Sequence, residues 1–200
     1  MQVTAVDTPH GPAHVHLHPV ESPRAALVLG HGAGGGVTSR DLVTATKTAN
    51  ADGIAVALVE QPYRVAGRRS PAPAPQLDAA WLAVLTHLVE SDLGDLPILT
   101  GGRSSGARVA CRTSAATGSV GVLCLAFPLH PPGRKDAPSR LHELEAVTVP
   151  TLVVQGAGDP FGMPPPGPNR TVVQVAGNHS LRTNLQDVAV AISDWLSRIL

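Results

Sequence analysis

The strongest constraint on the fold is an alternation along the chain, in which short apolar runs rich in β-branched residues are followed by turns and then by segments with a helical period. That is the pattern of a mostly parallel sheet covered by helices on both faces, a three-layer αβα sandwich. The buried-strand candidates are Ala25 to Leu29, Ile54 to Val59, Ile98 to Thr100, Val120 to Ala126, Thr151 to Gln155 and Thr171 to Val175. Ala13 to His18 alternates apolar with polar residues and reads as a half-exposed edge strand.

The helices follow from their spacing. Leu77, Ala80, Trp81, Val84, Leu85 and Leu88 recur at i, i+3, i+4, i+7 and form one apolar stripe. Val188, Ile192, Trp195, Leu196 and Ile199 form another, with Asp187 near its start, where a carboxylate suits the helix dipole. A further helix is predicted from Ser39, a good N-cap, to Gly53, which suits a left-handed C-cap. Gln61 to Gln76, rich in Pro and Arg, and Pro128 to Ser139 read as loops after strands, well placed to wall a pocket and too short for a lid domain.

Two hundred residues predict one domain, 1–200, with a core that needs neither disulfide nor metal. Hydrophobic residues at 43% against 15% charged, with a mean hydropathy of +0.11, exclude a disordered chain. Fifteen basic residues balance fifteen acidic ones, and only two Trp, one Tyr and two Phe could stack on bases, so nucleic acid is not an expected partner. Cys111 and Cys124 lie in apolar stretches and read as structural thiols, which suits a reducing compartment. The N-terminus, residues 1–7, has no basic or apolar leader region, and no window approaches a membrane span. The expectation is a soluble, cytoplasmic protein.

The sharpest chemical signal is Gly102-Arg103-Ser104-Ser105-Gly106, placed between a strand and the helical stretch Ala107 to Ser114. A serine on a tight strand-to-helix turn needs tiny neighbours, and the turn lifts its Oγ clear as a nucleophile. An ordinary glycine-rich turn is the alternative for an isolated match. A phosphate loop would need a Lys after the glycines, and the chain has only Lys47 and Lys135.

A second signal is the buried strand ending in Gly30-His31-Gly32-Ala33-Gly34-Gly35-Gly36. It matches a loop that donates one backbone N–H to an oxyanion hole, with Ala33 the chosen donor, Gly34 its rival, and Ser105, after the nucleophile, supplying the other. A dinucleotide fingerprint is disfavoured, because the last glycine of G-x-G-x-x-G is missing. Third, Asp159 and His179 each follow a late strand, giving the order Ser104, Asp159, His179 that an α/β-hydrolase imposes. An imidazole titrates near neutrality and can shuttle the Ser proton, while a carboxylate holds its tautomer.

The other histidines carry less. His14, His16 and His18 share a strand face, but no nearby carboxylate or thiol completes a metal site, so they read as a solvated face and no metal or cofactor is assigned. His31 reads as a loop-packing residue. Arg68 and Arg69 read as solvated surface, with an anion clamp as the alternative.

With these motifs in place, the chain resembles the α/β-hydrolase superfamily along nearly its whole length. It looks closest to a small, capless, dienelactone-hydrolase-like branch that also includes the hydrolase-like domain of the NSL complex regulatory subunit 3. The likeness is carried by His31-Gly32-Ala33-Gly34-Gly35, Ala66-Gly67-Arg68-Arg69, Gly102-Arg103-Ser104, Phe127 to Gly133, Gln155-Gly156, Asp159-Pro160-Phe161-Gly162 and His179. It implies an α/β-hydrolase fold without a lid and a Ser104, Asp159, His179 triad acting on a small-molecule acyl substrate. Dienelactone hydrolases carry Cys in place of Ser104, so their substrate is not transferred. The branch often flanks the histidine with acidic residues, where this chain has Asn178 and Ser180. The resulting expectation is a serine hydrolase for a carboxylic ester or thioester. A non-catalytic scaffold, or a peptidase or C–C hydrolase on the same residues, is the alternative.

Overall fold

The computed structural model of the protein describes residues 2–131, 133 and 137–200. Eight strands form one sheet: β1 (Gln2–Val6), β2 (Ala13–His18), β3 (Ala25–Gly30), β4 (Ile54–Glu60), β5 (Ile98–Arg103), β6 (Gly121–Leu125), β7 (Thr151–Gly156) and β8 (Arg170–Val175). Their order is β1-β2-β4-β3-β5-β6-β7-β8, antiparallel at the β1-β2-β4 end and parallel from β4 onward.

The helices are α1 (Arg40–Ala51), α2 (Pro62–Val65), α3 (Ala74–Glu90), α4 (Ser105–Thr117), α5 (Leu141–Glu145) and α6 (Leu185–Ile199). On one face α1 and α6 close a core through Leu42, Ala45, Ile192 and Trp195 against Leu27, Leu29, Leu123 and Leu152. On the other face, the α3 stripe with Trp81 at its centre packs on Val28, Ala57 and Val59, while α4 and α5 cover Val122, Cys124 and Val153. Strands buried on both faces favour apolar residues at nearly every position, which is why β3 and β6 read as hydrophobic runs and β7 departs from one only at Thr151 and Gln155.

Several expectations need correction. Ala13 to His18 is not an edge strand, because β1, a stretch the sequence did not mark, pairs along it in register Gln2↔Leu17 to Val6↔Ala13. The true far edge is β8, half-exposed rather than buried because it pairs with β7 alone. Gln61 to Gln76 is not wholly loop: Pro62 opens the single turn α2, and α3 begins at Ala74. In Pro128 to Ser139 the described residues hold no helix or strand, and Pro132, Arg134, Lys135 and Asp136 of that loop lie outside the described residues. Ser39 does precede α1 but makes no side-chain cap, its hydroxyl being buried without a partner. Gly53 takes φ +74° just past the end of α1, as a left-handed terminator does.

Cys111 and Cys124 are free and buried, with their Sγ atoms 3.5 Å apart. The hydrogen bond with Cys124, together with burial, pushes the Cys111 thiol well above its ordinary range, the opposite of a reactive cysteine. Among the described residues, no helix is long and apolar enough to cross a membrane.

Candidate active site

Ser104 sits between β5 and α4 with φ +52° and ψ −106°. A non-glycine residue in that region is strained by about 1–3 kcal/mol and is held there by its surroundings. The strain turns the chain sharply enough to pass from strand to helix within one residue. Gly102 and Gly106 make the turn possible, since a Cβ on either would collide with the Gly30 backbone on neighbouring β3. The glycines expected from sequence to clear space around the serine therefore do so against one named partner.

The fold brings Ser104, Asp159 and His179 together. The Nδ1–H of His179 donates to Asp159 Oδ2 at 2.8 Å, and Nε2 lies 2.9 Å from Ser104 Oγ. An ionised carboxylate can only accept, so the Nδ1 proton is fixed, leaving Nε2 to accept the Ser104 hydroxyl proton. The Asp159 side chain is 1% exposed and that of His179 16%, so the carboxylate is sealed while the imidazole keeps an open edge. A hydroxyl, an imidazole and a carboxylate in this line can carry a proton off an attacking oxygen.

The sequence did not single out the groups that hold this line. Gln155 is fully buried, and its Nε2 sits 2.8 Å from Asp159 Oδ2, 3.0 Å from the Phe127 carbonyl and 2.9 Å from the Gly162 carbonyl. The Phe161 N–H donates to the other Asp159 oxygen at 2.8 Å, and the Phe161 ring packs 4.1 Å from the imidazole. Arg103 also bears on His179: Nη2 donates to the His179 carbonyl at 3.1 Å, while Nε lies 2.8 Å from Oδ2 of fully buried Asp41 on α1. A Cβ on Gly32 would come within 2.6 Å of the same guanidinium, so this glycine lets Arg103 pass beneath the loop. Gln155 and Arg103 lie in motifs already quoted, yet no local spacing reveals which distant group a side chain reaches.

The loop after β3 is clamped on two sides. His31 Nε2 accepts the Gln61 N–H at 3.1 Å, which places the ring proton on Nδ1, donating to the Gly32 carbonyl at 2.8 Å. Burial lowers the His31 pKa, so the ring stays neutral in this role. The Tyr63 hydroxyl donates to the Ala33 carbonyl at 2.9 Å, and the Gly35 N–H closes a turn on the Gly32 carbonyl at 3.1 Å. His31 is thus the packing residue expected of it. Ser105 heads α4, where a first-turn N–H has no acceptor within the helix.

Elsewhere the sequence reading changes in one detail. Glu60 does supply a carboxylate beside the strand histidines, 3.8 Å from both His14 Nδ1 and His16 Nε2. Among the described residues, no group of three or more His, Cys, Asp or Glu is placed to hold a metal ion. Arg68 and Arg69 are exposed, and Arg68 lines a small cavity of about 80 Å³ with Gln61 and Tyr63, away from Ser104, Asp159 and His179 in its lining. A larger cleft, about 380 Å³, is lined by Gly34, Arg103 and Ser180, each a chain neighbour of a residue singled out above.

A mostly parallel sheet flanked by helices, with the serine on a strained strand-to-helix turn and the histidine loop after the last strand, defines the α/β-hydrolase class of fold. The chain belongs to the alpha/beta hydrolase domain family, whose model matches residues 23–189. Among solved structures it is similar to an α/β serine hydrolase without lid from Xanthomonas campestris, with TM-score 0.78, 19% identity and coverage of 100% of this chain and 94% of that one. Est1E from Butyrivibrio proteoclasticus gives TM-score 0.80 at 15% identity over 99% and 98% of the two chains. A dienelactone hydrolase from Anabaena variabilis gives 0.77 at 17% over 100% and 97%. At these identities the likeness establishes the fold. No curated protein matches the chain. The similarity to the NSL complex subunit rests on sequence motifs alone.

Proposed function

We propose that this protein is a serine hydrolase that cleaves small or medium carboxylic esters or thioesters through an acyl-enzyme. The observation that carries the reading is the continuous line from Ser104 Oγ to His179 Nε2 at 2.9 Å and from His179 Nδ1 to Asp159 Oδ2 at 2.8 Å. In this reading Ser104 attacks the acyl carbon while His179 takes its proton and returns it to the leaving oxygen or sulfur. Asp159 keeps the imidazole in the productive tautomer. The N–H groups of Ala33 and Ser105 hold the oxyanion, each worth about 3–4 kcal/mol in typical hydrolases. Water, activated by the same imidazole, then releases the acid.

The test is labelling of the purified protein with a neutral fluorophosphonate probe. Wild type is expected to label and Ser104→Ala not to. Equal labelling of both, or no ester or thioester turnover above the Ser104→Ala background, overturns the reading in favour of a binding protein on a hydrolase fold.

A further inference from the structure

We propose that Arg103 is a positioning residue for the hydrolytic reaction: its guanidinium joins the nucleophile turn, the glycine loop after β3 and the histidine loop, and so sets where the His179 backbone stands relative to Ser104. This deepens the serine-hydrolase reading and rests on it.

Three segments meet at one planar group. Arg103 is the last residue of β5 and the chain neighbour of Ser104, so its Cα moves only with the nucleophile turn. Nε lies 2.8 Å from Asp41 Oδ2 on α1, Nη2 donates to the His179 carbonyl at 3.1 Å, and Nη1 passes beneath Gly32. Among the described residues, Arg103 is the one hydrogen-bond donor to that carbonyl. Asp159 fixes the imidazole through Nδ1, from the β7 side, but leaves free the backbone from which the ring hangs. The bond from Arg103 holds that backbone and ties it to the residue next to the nucleophile, closing a ring with the 2.9 Å approach of Nε2 to Ser104 Oγ.

Asp41 and Gly32 are what keep the guanidinium in that place. The Asp41 carboxylate is fully buried, and a charge taken out of water requires a partner, which anchors Nε. At Gly32 a Cβ would come within 2.6 Å of Nη1, whereas the other atoms it would meet, the Arg103 carbonyl oxygen and Ser104 Cβ, stand at 3.7 Å, an ordinary contact. Gly32 does not take a left-handed φ, so its backbone would accept a side chain. The missing side chain at this position therefore makes room for the guanidinium. A rigid fork can serve Asp41 and the His179 carbonyl at once. The single ammonium of a lysine can answer the charge of Asp41 but cannot span both.

The experiment compares wild type, Arg103→Lys, Gly32→Ala and the double variant on an ester that wild type turns over, with urea midpoints measured alongside. In Arg103→Lys a cation still faces Asp41, so the midpoint is expected to stay near that of wild type while kcat falls about tenfold or more and KM changes by less than about twofold. Gly32→Ala is expected to do the same, since its methyl displaces the end of a flexible side chain and strains no backbone. The double variant is expected to fall no further than Arg103→Lys alone, because the group that the methyl would displace is already gone. Wild-type kcat in either single variant, or losses that multiply in the double variant, overturns the positioning role. Should Arg103→Lys fail to fold, Gly32→Ala decides by itself: a wild-type midpoint with a tenfold lower kcat supports the role, and an unchanged kcat overturns it. Fluorophosphonate labelling of wild type separates the two ideas. Labelling and turnover that both single variants retain remove the positioning role alone, whereas absence of labelling and turnover in wild type removes the hydrolase reading and this role with it.

Discussion

Gln155 shows how much of the site depends on a side chain with no reactive group. Its amide stands between Asp159 and two backbone carbonyls and is sealed from water, so the carboxylate can sit at one angle only. Replacing it with Leu removes the donor from Asp159 and strands the Phe127 and Gly162 carbonyls. We expect Gln155→Leu to lower kcat by about tenfold or more with KM little changed, because what is lost is orientation rather than substrate contact. Steady-state kinetics on an ester that wild type turns over checks this. A rise in KM alongside the fall in kcat would mean that the substitution deforms the cleft instead. Ser104, Asp159 and His179 were legible in the sequence because each stands at a strand end in a short glycine-containing motif. Gln155 was not, since it occupies an inward position of β7 and its partners come from two other segments.

At the level of elements, the helices on the α3 side are tied by charge as well as by apolar contact. Glu143 on α5 accepts from Arg108 at 2.6 and 2.8 Å and from Arg112 at 3.3 Å, while Arg112 also reaches Asp78 on α3 at 2.6 and 2.9 Å. The network joins α3, α4 and α5, and α4 carries Ser104 at its N-terminus. Removing Glu143 leaves Arg108 without its acid and Arg112 with Asp78 alone. We expect Glu143→Ala to cost about 2–3 kcal/mol, below the ~3–5 kcal/mol of a fully buried broken pair because both arginines keep some contact with water. A urea midpoint measures it, and a loss under about 0.5 kcal/mol would mean that solvent replaces the network freely. The short helix α5 was invisible in sequence, because five residues cannot display a helical period. The long helices α3 and α6 were visible because their stripes repeat over about three turns.

Across the whole molecule, two buried titratable groups set the response to acid. Burial lowers the His31 pKa, only partly offset by its bond to the Gly32 carbonyl and by Glu60. Burial alone would raise Glu143, but the bonds and charges of Arg108 and Arg112 outweigh it and lower the net value. In both cases the unfolded chain binds protons more tightly than the folded one, so stability rises with pH until the unfolded value is passed. Stability is therefore expected to be level above about pH 6.5, to fall first as His31 must charge, and to fall again below about pH 4.5 as Glu143 must be protonated. Urea midpoints from about pH 8 to about pH 4 would trace this, with the first fall reduced in His31→Gln. A midpoint flat down to about pH 5 would show that the loop after β3 opens without cost.

The sequence by itself determined the layer architecture, the β3–β8 run of strands and the candidate serine, acid and histidine, since hydrophobic period and turn chemistry are local properties. It placed the edge of the sheet wrongly, for strand order depends on which segment finds β2, and the five residues of β1 alternate too briefly to announce a strand. Only the tertiary structure decided that Arg103 reaches the histidine loop and that Gln155 holds Asp159. Those contacts join residues up to 76 positions apart, and a guanidinium or an amide carries no mark in the chain of the partner that will satisfy it.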